Sequence, residues 1–202
     1  MIEYLYETSL PRTKVYLNMN NFTSSQNNKT INSHAQKRMV RGLLIVDVQN
    51  YFINKNTQAV PANIKKLIED NRFPVMVFSQ FINSSDSQFV KQLNFTGCVK
   101  PPYSDIVNEL RPWLKKDNVF AKCAFSVFTN PDFEKYLKKN KIEELVICGL
   151  DTDYCILADC FNAFDRGYKV TVVADCCASF TSGGKGHLAA LEIIKKSLGT
   201  VI

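Results

Sequence analysis

Histidine is nearly missing from this chain, with only His34 and His187 among 202 residues. Neither stands at ligand spacing from a cysteine pair, which argues against a zinc site of the Cys/His kind. No apolar run approaches the roughly 20 residues that span a bilayer, so no membrane partner is expected. The opening MIEYLYETSL carries acids where a secretory signal carries bases, and it lacks an apolar core segment. The expected location is therefore the cytoplasm. Organelle import is the alternative, because residues 8–41 lack acids and are rich in Ser, Thr and Asn, although Glu3 and Glu7 count against it. The 7 cysteines are odd in number and irregularly spaced, which excludes a simple disulfide framework and points to reduced thiols. Cys155 and Cys160 are too far apart for a C-x-x-C redox pair, and Cys176 adjoins Cys177. Strong charge of one sign is missing too. Five basic residues (Arg12, Lys14, Lys29, Lys37, Arg38) against Glu3 and Glu7 place half of the +6 net charge in the first 40 residues. A nucleic-acid partner is not expected. No internal repeat is present.

The composition that remains, 46% hydrophobic and 22% charged, suits a single globular domain with a substantial core. Residues 1–40 read as an appendage, because six Asn fall between positions 18 and 32 and hydrophobic periodicity is poor. From residue 41 to residue 202 the pattern alternates. The runs GLLIVDV, FPVMVFSQ, NVFAK, ELVICGL and YKVTVVAD read as strands, and TVI as the start of one more. Between them PANIKKLIED, SDIVNELRPWLKK up to Pro112, NPDFEKYLKKN, TDYCILADCFNAFDRG and KGHLAALEIIKKSLG read as helices. Such alternation predicts an α/β fold: three layers, with a central, mostly parallel sheet covered by helices on both faces. Ligands in such folds bind beyond the carboxyl ends of the strands.

Three residues stand at or just after such ends. Asp47 closes an apolar strand and is either a loop cap or a functional carboxylate. Lys122 is a cation among apolar neighbours, either a snorkelling surface lysine or a buried partner. Cys155 falls in the first turn of a helix for which Thr152 is a plausible N-cap. Helix amides there favour a thiolate, while an apolar face shared with Ile156 and Cys160 favours plain packing. Together the three are coherent, since a thiol needs a base, a carboxylate base needs a cation, and an acyl transfer needs backbone donors for its oxyanion.

The blocks around these residues resemble those of the isochorismatase-like cysteine hydrolases, which include nicotinamidases and carbamoylsarcosine amidases. GLLIVDVQNYF is similar to the family's strand ending in D-x-Q-x-x-F, and FAKCAFSVF to its K-x-x-x-S-x-F block. VICGLDTDYCILADCFNAFDRGYKVTVVADCCAS is similar to its longest signature. The resemblance implies a Rossmann-like topology and Asp47, Lys122 and Cys155 as the catalytic set. It also implies a cis peptide at Leu150–Asp151, an oxyanion hole from the amides of Asp151 and Cys155, and Phe52 against the substrate, though Phe52 could equally be plain core. The implied reaction is hydrolysis of a small amide or ureide through a thioester, without a cofactor, in a homo-oligomer.

Departures from the family pattern narrow this. The Asp-x-His pair and second His that hold a divalent metal in nicotinamidases have no counterpart in VFSQFINSSDSQF, so no metal is expected. A nicotinamidase with atypical ligands such as Asp86, and a binding or scaffolding protein on the same fold, are the alternatives. Asp151 replaces a residue that is usually small and apolar. Its side chain either faces the pocket, where it would disfavour an anionic acyl group, or caps the helix with Asp153. SFTSGGKGH fails as a phosphate loop, because Ser179 stands where the first Gly belongs and Gly186 follows Lys185. His187 is expected to be structural, and Cys160 to fill the core.

Overall fold

The computed structural model describes residues 39–181 and 184–202. The Asn-rich appendage at 1–40 therefore lies almost wholly outside the described residues. In chain order the elements are β1 (Arg41–Val46), α1 (Val60–Asp70), β2 (Val75–Phe81), α2 (Gln88–Leu93), β3 (Val119–Lys122) and α3 (Pro131–Lys139). These are followed by β4 (Glu144–Leu150), α4 (Leu157–Asp165), β5 (Lys169–Ala178), α5 (Lys185–Ser197) and β6 (Thr200–Val201). The six strands form one parallel sheet in the order β3-β2-β1-β4-β5-β6.

The two central strands explain why the pattern was readable. Every residue of β4 is buried, as is every residue of β1 after Arg41, because helices cover both faces. Right-handed crossovers place α1 on one face and α3, α4 and α5 on the other. On its face α1 buries Ile64 and Ile68, the residues at helical spacing, and it packs against β4 and β5. Helix α3 opens where Asn130 accepts the Asp132 amide and Pro131 occupies the first turn. Among the described residues no helix is long and apolar enough to cross a membrane.

Two segments differ from the sequence expectation. SDIVNELRPWLKK forms only a 3-10 turn, Asn108–Trp113, with Pro112 inside it. Proline has no amide hydrogen to continue an α-helical ladder, and burial of Leu110 anchors the turn without one. Helix α2 was not expected; it begins where the Ser87 hydroxyl accepts the Val90 amide. The chain then returns past a cis Pro101–Pro102 bond and runs antiparallel to the segment after β1. The amides of Asn50 and Tyr51 donate to the carbonyls of Asp105 and Tyr103.

Strand order reverses between β1 and β4, the place where an open α/β sheet leaves a crevice at its carboxyl edge. Gly149 shapes that crevice. It sits at a register shift in β4, at φ +120°, and a Cβ there would meet the Val46 carbonyl oxygen at 2.2 Å. Only glycine allows both the dihedral and the approach. Gly149→Ala is expected to lower stability by at least about 2 kcal/mol, measured as the midpoint of chemical denaturation. A variant as stable as the parent would show that the two strands separate freely here.

Candidate active site

Asp47 follows β1 directly and takes φ +48°, an uncommon conformation for a residue with a side chain. Ser79 on the neighbouring β2 holds it from two sides. The Ser79 hydroxyl donates to Asp47 Oδ1 at 2.7 Å, and Ser79 Oγ is 3.2 Å from the Asp47 amide nitrogen. Lys122 ends β3, two strands away, and its long side chain closes that gap. Its Nζ lies 2.7 Å from Asp47 Oδ2 and donates to the carbonyls of Ala124 at 3.2 Å and Phe125 at 2.5 Å. The three ammonium hydrogens thus face three acceptors. Both side chains are almost wholly buried, at 0% and 1% exposure. Burial alone would lower the Lys122 pKa, but the charges of Asp47, Cys155 and Asp159 outweigh it and raise the net value. Lys122 is therefore a buried partner rather than a snorkelling one.

Cys155 approaches the same carboxylate from β4. The Leu150–Asp151 peptide is cis, and residues Thr152–Ile156 form one π-type turn before α4. The Asp151 carbonyl accepts the amides of Tyr154 and Ile156 at 3.2 and 3.0 Å. Such turns recur at functional sites. Cys155 is half-buried, and its thiol lies near enough to Asp47 to feel the carboxylate's charge. Burial, opposed by Lys122, pushes the thiol well above its ordinary range, and the Asp47 carboxylate adds to the effect. The resting sulfur is thus a thiol near a carboxylate. Cys98 is a second thiol near Asp47, but it is 2% exposed and held between the Phe81 carbonyl and Gln49. Of these two residues, Cys155 is the one that is partly exposed.

Thr152 does not cap the helix; its hydroxyl meets His187 Nδ1 at 2.8 Å, a structural contact for that histidine. Asp151 stands at the cap position without a side-chain cap bond. Its Oδ1 accepts the Phe180 amide at 2.7 Å, and Asp153 Oδ1 accepts the Ser179 hydroxyl at 2.6 Å. The two acids thus hold the segment after β5 instead of the helix they precede. Burial pushes the Asp151 carboxyl up to about 7, against the Phe180 amide and with repulsion from Asp153 and Asp47. Cys160 is fully buried in the core.

Aromatic rings surround this point. Phe52 packs edge-on to Phe81 and Phe180, 6.2 and 5.9 Å between centroids, with Tyr51 alongside. Beyond them Phe89 joins Phe81 to Phe125, which stacks on Tyr154. Gln49 ties the wall together. Its Nε2 donates to the carbonyls of Phe81 and Ser104 at 2.8 and 2.7 Å, and its Oε1 accepts the Phe81 amide. Sequence reasoning gave Gln49 and Ser79 no role. The D-x-Q spacing could have pointed to Gln49, whereas nothing local marks Ser79.

Among the described residues no group of three or more His, Cys, Asp or Glu gathers to hold a metal. Asp86, the candidate ligand, is fully exposed and engages the Ser84 hydroxyl. The described residues do not offer a set that fits a divalent ion.

Comparison with known proteins gives one consistent result. A family model described as Isochorismatase domain matches residues 41–202. The isochorismatase family protein YddQ of Bacillus subtilis (strain 168) is 31% identical over 152 residues, covering 71% of this chain and 80% of that protein. Among solved structures, N-carbamoylsarcosine amidase from Thermoplasma acidophilum superposes with a TM-score of 0.71 at 24% identity, covering 81% of this chain and 95% of that one. Nicotinamidase PncA from Bacillus subtilis gives 0.69 at 22% identity, covering 81% and 99%. These two likenesses establish the fold.

The raised Asp151 value has a thermodynamic consequence. Between its ordinary 3.8 and about 7 the folded protein keeps a proton that the unfolded chain releases. Its contribution to stability therefore falls as pH rises through that window and levels off above it. Asp151→Asn, which keeps the Phe180 acceptor, should gain on the parent by on the order of 2–4 kcal/mol between pH 4 and pH 7.5. Denaturant titrations of both proteins across that range would read it. A constant difference would place Asp151 in water.

Proposed function

The chain belongs to the isochorismatase family, and on that premise we propose that it is a metal-independent cysteine hydrolase that cleaves a small amide or ureide C–N bond. The observation that carries this is the shared carboxylate. Asp47 Oδ2 lies 2.7 Å from the Lys122 ammonium, and the Cys155 thiol is near enough to the same carboxylate to be raised by its charge.

In the proposed reaction Asp47 takes the thiol proton as Cys155 Sγ bonds to the substrate carbonyl carbon. Lys122 pairs with the Asp47 carboxylate and offsets the charge that builds nearby. The carbonyl oxygen becomes an oxyanion, which the backbone amides of Asp151 and Cys155 would hold. Collapse breaks the C–N bond, and the proton on Asp47 passes to the leaving nitrogen, freeing ammonia or an amine. Water then adds to the thioester with Asp47 as base, the acid departs, and the thiol is restored. The half-buried Cys155 and the aromatic rings near it suit a small acyl group with an apolar face.

Cys155→Ala should reduce ammonia release from a panel of small amides at least roughly a thousandfold. The parent should show a mass increment on Cys155 during turnover. Unchanged turnover in the variant would refute the proposal. Tight amide binding with no acylated Cys155 would favour a binding protein on this fold.

A further inference from the structure

One carboxyl beside the site has no part in the chemistry above. Asp159 lies on α4, one turn beyond Cys155, and is completely buried. Its Oδ1 accepts the Ser126 hydroxyl and the Val127 amide, both at 2.8 Å, while its buried Oδ2 has no hydrogen-bond partner among the described residues. An unpaired buried carboxyl oxygen is costly, more so when charged. An apolar side chain would avoid that cost.

The location suggests what the acid does. Ser126 and Val127 continue the turn whose carbonyls, at Ala124 and Phe125, take two hydrogens of Lys122 Nζ. Asp159 therefore fixes the far end of the lysine's cradle. The charged and titratable groups facing it are Lys122 from β3, Asp47 from the end of β1, Cys155 from the turn before α4 and Cys160 on its own helix. Lys122 is the one cation in that set.

We propose that Asp159 is a positioning residue for Lys122: its Oδ1 holds the turn that cradles the ammonium, and its charge competes with Asp47 and Cys155 for that cation. This rests on Cys155 being the reacting group. Ionised, Asp159 draws on the Lys122 field and repels a nascent thiolate. Neutral, it leaves the ammonium to Asp47 and Cys155. Burial, opposed by Lys122 and the Ser126 hydroxyl, pushes its carboxyl up to about 7, so both forms are present at neutral pH.

Alkylation of the full chain by iodoacetamide tests this without a substrate. The rate at Cys155 is followed by peptide mass spectrometry, because Cys123 is exposed as well. Asp159→Asn keeps the acceptor for Ser126 and Val127 and removes the charge. Its alkylation midpoint should fall by about one pH unit, with a rate near pH 9, where Asp159 in the parent is ionised, about tenfold higher. Superimposable profiles for the folded variant and the parent would overturn the proposal. Should the variant fail to fold, Ser126→Ala removes one donor to the Asp159 anion and favours its neutral form. The alkylation rate near pH 7, where Asp159 titrates, should then rise by up to about twofold, and no change or a fall overturns the proposal. A Cys155 unlabelled at every pH in the folded parent overturns both proposals. A shifted profile without amide turnover overturns only the hydrolase.

Discussion

The buried pair of Asp47 and Lys122 is the constraint around which the carboxyl edge of the sheet is arranged. Removing two charges from water costs several kcal/mol each, and their mutual attraction offsets this only when the remaining lone pairs and protons are also satisfied. The structure meets that condition from four directions. Ser79 supplies a donor to the carboxylate, Ala124 and Phe125 supply carbonyls to the ammonium, and the Cys155 thiol lies within reach of the carboxylate's charge. Removing any of these leaves a buried polar group short of a partner, so β1, β2, β3 and the turn after β4 are coupled through one ion pair.

The sheet order makes this possible. A chain that runs outward through β2 and β3 and then returns to place β4 against β1 leaves its two central strand ends facing one crevice. Asp47 enters from one strand end and Cys155 from the other, and Lys122 reaches in from the edge. Gly149 lets the two backbones close to within a distance that no side chain permits. The long excursion between β2 and β3 then carries Phe89 and Phe95 to the ring cluster, held by Gln49 at its return. Asp151 and Asp153 hold the other side through Ser179 and Phe180.

Much of this was legible in the residues. Strands buried on both faces are nearly continuous apolar runs, so RGLLIV and ELVICGL stood out without reference to their partners. The helix at NPDFEKYLKKN announced itself through Asn130 and Pro131. The 3-10 turn at Asn108–Trp113 did not, because its Leu110 and Trp113 keep apolar spacing while Pro112 forbids the α ladder. At the site, Asp47, Lys122 and Cys155 were legible because each interrupts or ends an apolar run. Ser79 and Asp159 were not, since a serine in a strand and an aspartate in a helix carry no mark of a partner 32 or 33 residues away.

The amino-acid sequence by itself determined the alternation of strand and helix, the strand ends where chemistry belongs and the residue types able to perform it. All of these follow from local periodicity and from where polar residues break apolar runs. Only the tertiary structure decided which polar groups meet. It turned Asp151 toward Phe180 and Thr152 toward His187 in place of the helix cap, and it set Asp159 beside the lysine. Such pairings depend on distances between segments far apart in the chain, and local spacing carries no record of them.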